Sequence, residues 1–253
     1  IEHICLSHIH GDHIFGIFGL LSTMGLLARK APLNIFAPTG FAPILEFFKT
    51  QFGEGLLFDI HFHPLEMTSP EVIYENRTTE LLAFPLNHRV ETFGFIIREK
   101  MPQRNVHKEA ISKYNLTLEE IGTLKRGEDV VRESSDGKTL VIRNEDVTYY
   151  RYLPRSYAYC SDTAPCDNSM QLKDVDLLYH EATFADSEKE RAAQTMHSTA
   201  RQAAQVAKDA GVKRLLIGHY SSRYDTPDAL QEEASEIFPA TTAVNEGDTF
   251  CID

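Results

Sequence analysis

The chain has 253 residues, 42% hydrophobic and 25% charged, an ordinary balance for a soluble globular protein with one large domain or two small ones. A formal net charge of −12 argues against coating of nucleic acid by the whole surface, while leaving room for a local basic patch. Four cysteines, Cys5, Cys160, Cys166 and Cys251, form neither a disulfide framework nor a C-x-x-C pair, so a reduced cytoplasmic setting is expected.

Ile4-Cys5-Leu6 reads as the end of a buried strand, and a His/Asp cluster follows at once. From Ile14 the chain is apolar enough for a helix packed on a core. The stretch to Ala28 carries Gly16, Gly19, Ser22, Thr23 and Gly25 and is too short to span a bilayer, so no membrane partner is expected. Leu33 to Phe36 reads as a strand, Ile44 to Phe52 as a helix, and Thr79 to Leu86 and Thr92 to Arg98 as strands. Residues 98–126 carry seven Lys or Arg against four Glu, which suggests either a solvated helical insertion or an arm that touches a polyanion. Ser156 to Cys160 and Val175 to Tyr179 read as strands. Thr199 and Gln202 fit a capping box that opens a helix with Ala203, Val206, Ala207 and Ala210 on one face, closed by Gly211. Leu215 to Ile217 is the last strand. Mixed strands and helices throughout give an α/β or α+β class.

His8, His88, Asp162, His180 and His219 each fall one to three residues beyond an expected strand, where ligands from distant sequence can converge. His8, His10, Asp12 and His13 lie within six residues, and Gly11 offers a sharp turn between the pairs. Imidazole nitrogen and carboxylate oxygen are zinc ligands, and catalytic sites keep a position open for water. His88, Asp162 and His219 are the best candidates to complete a two-metal site, with Asp162 able to bridge. Such a site would make hydroxide available near neutral pH and stabilise phosphoryl charge. His180-Glu181 and His197 come second. Glu181, if it met His197, would raise the imidazole pKa and form a general acid.

These words together resemble the ribonuclease Z family, tRNA 3′-processing endonucleases of the metallo-β-lactamase superfamily. His8-Ile9-His10-Gly11-Asp12-His13, followed by Gly16, Gly19, Leu20 and Leu21, is similar to its first metal motif. His180-Glu181-Ala182-Thr183-Phe184, His197-Ser198-Thr199 and Ser221-Ser222-Arg223-Tyr224 resemble its later words. Asn87-His88 and Ser161-Asp162-Thr163 stand where it has further ligands, the latter in place of G-D-T.

The resemblance implies an αββα sandwich and two zinc ions, with manganese able to share the ligands. His8, His10 and His88 would hold one ion, Asp12, His13 and His219 the other, and Asp162 would bridge. Asp12 would also act on the attacking water. Glu181 and His197 would protonate the leaving 3′-oxygen of precursor tRNA. A homodimer and an inserted tRNA-binding arm at residues 98–126 follow from the same likeness, within a single domain over 1–253. The family's N-terminal loop and first strands have no counterpart here, so N-terminal sequence is expected to be missing. The competing functions are a superfamily hydrolase acting on a small phosphodiester, ester or thioester, and an inactive metal-binding subunit.

Overall fold

Strand β1, His3–Cys5, opens the chain in a computed structural model that describes residues 1–133, 135, 137–167 and 170–252. Helix α1, Gly11–Leu26, begins three residues before the apolar run and buries Ile14, Ile17, Leu21 and Met24 at helical spacing. Strand β2 covers Leu33–Pro38, and helix α2 covers Ala42–Phe52 with Pro43 in its first turn, where no intrahelical donor is lost. Strands β3, Ile60–Leu65, and β4, Glu71–Glu75, are additions to the elements expected from sequence. Pro64 sits in β3 because that strand is the edge of its sheet, where a missing N–H is tolerated. Strands β5, Thr79–Pro85, and β6, Phe93–Glu99, fall where the sequence places them.

Residues Glu99–Pro154, with Asn76–Thr79, form a compact unit of their own. It comprises β7 Asn105–Val106, α3 Lys108–Tyr114, α4 Leu118–Lys125, β8 Val130–Glu133, β9 Thr139–Ile142, α5 Asn144–Val147 and β10 Thr148–Tyr149. Val106, Ala110, Leu124, Val130 and Ile142 pack in its core. Thr117 and Glu120 make a capping box at α4, and both oxygens of Glu120 also accept from Arg132 of β8, at 2.6 and 2.7 Å. The unit is wider than the 98–126 segment, and its charge is correspondingly different. Over its full extent eleven Lys or Arg face ten Asp or Glu, so the basic excess belongs to the helical half.

The other compact unit continues with β11 Ser156–Cys160, β12 Leu177–Glu181, α6 Lys189–Thr195, α7 Ala200–Ala210, β13 Arg214–Gly218, α8 Asp228–Ile237 and β14 Thr241–Ala243. Helix α7 has the expected capping box at Thr199 and Gln202, and Gly211 closes it at φ +65°. Its small residues Ala200, Ala203, Ala204, Ala207 and Ala210 let it lie close on the sheet.

Seven strands run in the order β14-β13-β12-β11-β6-β5-β4, and β11 to β14 are mutually parallel. A second, parallel sheet has the order β1-β2-β3. Side-chain alternation sorts the core into layers. Phe84, Ile96, Ala158, Leu178 and Ile217 leave one face of the large sheet to meet Ala203 and Ala207 of α7 and Leu230 and Ala234 of α8. Leu81, Ala83, Phe93 and Phe95 leave its other face to meet Phe36 and Leu65 of the small sheet. Leu33, Ile35 and Ala37 leave the far side of the small sheet to meet Leu21 of α1 and Leu45 and Phe48 of α2. The result is an αββα sandwich. Each fully buried large apolar side chain contributes roughly 1.5–3 kcal/mol.

Candidate metal centre

Strand ends deliver the ligand candidates. His8 lies three residues past β1, His88 three past β5, Asp162 two past β11 and His219 one past β13. His219 itself adopts φ +61°, an uncommon conformation that histidine enters more readily than most residues. Asp12 and His13 do not sit in a turning loop, as the sequence suggests, but in the first turn of α1. Gly11 is therefore helical rather than a sharp turn. A Cβ there would lie 2.7 Å from the ring of Phe15, an exposed side chain that would have to swing aside. An acidic residue at Asp12 also suits the positive end of the helix dipole.

The two oxygens of Asp162 face different imidazoles. Oδ2 lies 3.7 Å from His8 Nε2 and 3.8 Å from His88 Nε2. Oδ1 lies 3.5 Å from His13 Nε2 and 3.3 Å from His219 Nε2. His8 Nε2 and His10 Nδ1 converge to 3.1 Å, close enough to need a proton or a cation between them. His8, His10, His88 and Asp162 form one group with ligand atoms within 4.8 Å of one another, and Asp12, His13 and His219 form a second. Asp12 is mostly exposed, and its Oδ2 stands 3.4 Å from His13 Nε2.

Outer hydrogen bonds orient the rings of His88 and His8 toward the centre. His88 Nδ1 donates to the Met196 carbonyl at 2.8 Å, and its Nε2 is buried without a partner. A buried lone pair aimed at a carboxylate and two further imidazoles is what a cation would satisfy. Ser7 Oγ donates to Ser161, which in turn reaches Asp162, so Ser7 is left to accept from His8 Nδ1 at 3.1 Å. Burial, reinforced by the neighbouring imidazoles His13, His10 and His88, pushes His8 down to about 3. Burial likewise lowers His13 and His88. These rings are neutral, the form in which imidazole binds a metal.

Beside the candidate ligands lies a buried carboxylate–imidazole pair, Glu181 and His197. Glu181, fully buried, accepts from His197 Nδ1 at 2.8 Å, from Thr163 N at 2.9 Å and from Thr183 N at 3.0 Å. The Thr183 hydroxyl adds a fourth hydrogen bond at 2.7 Å. Burial opposes a charge on His197, but the hydrogen bond and charge of Glu181, with Asp162 behind, hold its pKa above the ordinary histidine value. His197 Nε2 points back to Asp162 Oδ2 at 4.0 Å.

The structure thus brings His8, His10, Asp12, His13, His88, Asp162, Glu181, His197 and His219 together. It separates His180, which is not beyond a strand. Strand β12 ends two residues later than expected, and His180, 3% exposed, is in line within it, its Nδ1 held by the Glu181 carbonyl. Sequence reasoning missed Thr183, Met196, Ser7 and Ser161. A signal for Thr183 was present, since it lies two residues after Glu181 at a strand end.

A family profile described as a beta-lactamase superfamily domain matches residues 143–220. Ribonuclease Z of Bacteroides thetaiotaomicron is 42% identical over 251 residues, covering 97% of this chain and 77% of the relative. Ribonuclease Z of Cytophaga hutchinsonii is 42% identical over 244 residues, covering 96% of this chain and 76% of the relative. The solved structure of human tRNase Z, short form, aligns with a TM-score of 0.67 at 22% identity, covering 100% of this chain and 80% of that one. That structural likeness establishes the metallo-β-lactamase fold, and sequence identity sustained over 97% of the chain places it more narrowly: the chain belongs to the ribonuclease Z family.

Proposed function

We propose that this chain hydrolyses one phosphodiester of precursor tRNA to release the 3′ trailer, at a centre that holds two zinc ions. The observation that carries the reading is the division of Asp162, with one carboxylate oxygen toward His8 and His88 and the other toward His13 and His219. His8, His10 and His88 hold one ion, Asp12, His13 and His219 the other, and Asp162 bridges. When bound, the pair acidifies water to near neutral pH and offsets charge on the phosphoryl oxygens. Manganese fits the same nitrogen and oxygen donors less selectively.

The chain's own groups handle the protons. Asp12, exposed at the mouth, orients the attacking water and takes its proton. His197, kept protonated by Glu181, gives a proton from Nε2 to the leaving 3′-oxygen. Water attacks phosphorus, the P–O3′ bond breaks, and the tRNA keeps a 3′-hydroxyl while the trailer keeps a 5′-phosphate. General acid assistance of this kind is worth about 10²–10⁴ in rate.

The unit at Glu99–Pro154 is the tRNA-binding arm, and the support for that reading is its exposed Lys108, Lys113, Lys125 and Arg126. The catalytic body pairs with a second copy through α1 and α2. What supports this is Phe15, Phe47 and Phe52, 71%, 63% and 65% exposed on those helices. A reducing cytoplasm suits four free thiols. Among the described residues no helix is long and apolar enough to cross a membrane.

The test is incubation of zinc-loaded protein with precursor tRNA bearing a 3′ trailer, with the cut mapped. A single cut after the discriminator position, abolished by chelation, is expected. Intact RNA alongside hydrolysis of a small phosphodiester would keep the metal centre and remove the tRNA assignment. Light scattering of the same sample reads the dimer.

A further inference from the structure

The Thr183 hydroxyl stands between the two halves of the site. It lies 2.7 Å from Glu181 Oε2, 2.9 Å from His219 Nδ1 and 3.3 Å from His197 Nδ1. A hydroxyl has one proton to give. The carboxylate, which already accepts from three N–H donors, is the nearest of the three, so the proton goes to Glu181 Oε2. Thr183 Oγ1 is then left with lone pairs facing His219, which must present Nδ1–H to it. That selects the Nδ1–H tautomer for the neutral ring of His219, whose Nε2, 3.3 Å from Asp162 Oδ1, is then its lone-pair nitrogen. His197 already donates its Nδ1–H to Glu181 Oε1 at 2.8 Å, so its approach to Thr183 is secondary.

The backbone on either side of Thr183 is pinned. Its carbonyl accepts from Ser221 N at 3.0 Å, and Ala185 N donates to Tyr224 Oη at 2.9 Å. Arg223 lies over the Phe184 ring at 5.2 Å and pairs with Glu188 at 2.8 Å. The Ser221–Tyr224 segment, which no role yet explains, thereby holds the loop that aims this hydroxyl.

We propose that Thr183 is a positioning residue that joins the second ligand group to the proton-donating pair: through one hydroxyl it sets the tautomer of His219 and seats the Glu181 carboxylate. The inference rests on the two-ion reading of the centre. It assigns to Thr183 a role in metal affinity as well as in the rate of the chemical step.

The experiment titrates zinc into the chelated full chain by calorimetry, for the wild type, Thr183→Val and Thr183→Ser. Valine keeps the shape and removes the hydroxyl, while serine restores it. The wild type should take two ions. Thr183→Val should take the first normally and bind the second roughly 10- to 100-fold more weakly. Thr183→Ser should return most of the loss. On precursor tRNA at saturating zinc, Thr183→Val should lower kcat with KM little changed. An independent readout needs no substitution: the imidazole ¹⁵N spectrum of the wild type should show His219 as the Nδ1–H tautomer. Equal second-ion affinity in wild type and Thr183→Val, or an Nε2–H tautomer at His219, would overturn the role of Thr183 while leaving the two-ion reading intact. A wild type that takes fewer than two ions fails the two-ion reading, and the His219 spectrum then still decides the tautomer.

Discussion

His197 Nδ1 lies 2.8 Å from Oε1 of Glu181, and that carboxylate is shut away from solvent with three further donors on it. Four hydrogen bonds satisfy both oxygens of a carboxylate that water cannot reach. His197, with its pKa raised, therefore stands beside a centre in which three rings, His8, His13 and His88, have lowered pKa values and stay neutral.

The pH profile should report that pair. Burial pulls the His197 pKa down, Glu181 and then Asp162 pull it up, and the upward pull wins. Activity that needs the imidazolium should hold above the ordinary histidine value of about 6.5 and decline on the alkaline side. Glu181→Gln should move that alkaline limb to lower pH, and His197→Ala should cost about 10²–10⁴ in kcat with zinc content unchanged. The stability linkage has the same sign: the ion pair stabilises fully below the unfolded pKa and is lost as pH rises through the folded one. Superimposable profiles for wild type and Glu181→Gln would remove His197 as the acid.

Acid should act on the opposite side of the site. His8 is pushed down to about 3 by burial and its neighbours, so the folded chain resists a proton that the unfolded chain accepts near 6.5. The unfolded state then binds more protons over that window, and stability falls as pH drops from about 6.5 toward 3. Chelated protein should melt at a lower temperature in mildly acidic buffer, roughly two pH units below neutral, and His8→Asn should flatten the dependence. Identical melting of the wild type at both pH values would contradict the burial argument.

Local pattern made part of this legible. Strand ends followed by candidate ligands could be read at His8, His88, Asp162 and His219 because a short strand-like run gives way there to ionisable residues. The capping box at Thr199 was equally plain, being a side-chain interaction within one turn. Strand β3 was hidden by Pro64, which an edge strand can bear, even though Ile60, His61, Phe62 and His63 alternate apolar and polar. His180 was misplaced by a two-residue error in the end of β12, enough to turn a strand residue into an apparent loop ligand. The Met196 carbonyl that holds His88 was beyond sequence reasoning, since any residue supplies a carbonyl and the two positions are 108 apart.

Replacement of Asp162 tests the bridge. Asp162→Asn keeps the size, removes the negative charge and turns one oxygen into an amide nitrogen that has no lone pair to offer a cation. Since Oδ1 and Oδ2 serve different imidazole groups, one of the two ions should lose its carboxylate ligand. Elemental analysis after dialysis should fall from two zinc per chain to one or fewer, and trailer release should fall with it. Two tightly held ions in Asp162→Asn would show that the imidazoles and Asp12 suffice, and would end the bridging role.

The separate unit should matter to RNA and not to the bond cleaved. Lys113, Lys125 and Arg126 are exposed on or beside its two longer helices, and Arg126 pairs with Glu128 at 3.2 Å. Charge reversal of all three leaves the capping box of α4 and the Arg132–Glu120 pair in place, so the unit should still fold. If these cations meet phosphates, KM for precursor tRNA should rise by about tenfold or more, a change of roughly 1.4 kcal/mol or above. The slope of log KM against log salt should shrink by about one for each phosphate that is no longer neutralised. Turnover of bis(p-nitrophenyl) phosphate should not change, because no ligand or proton donor is touched. An unchanged KM and salt slope would mean that the near-neutral unit does not use these residues to hold RNA, and that the basic excess of its helical half is solvated surface.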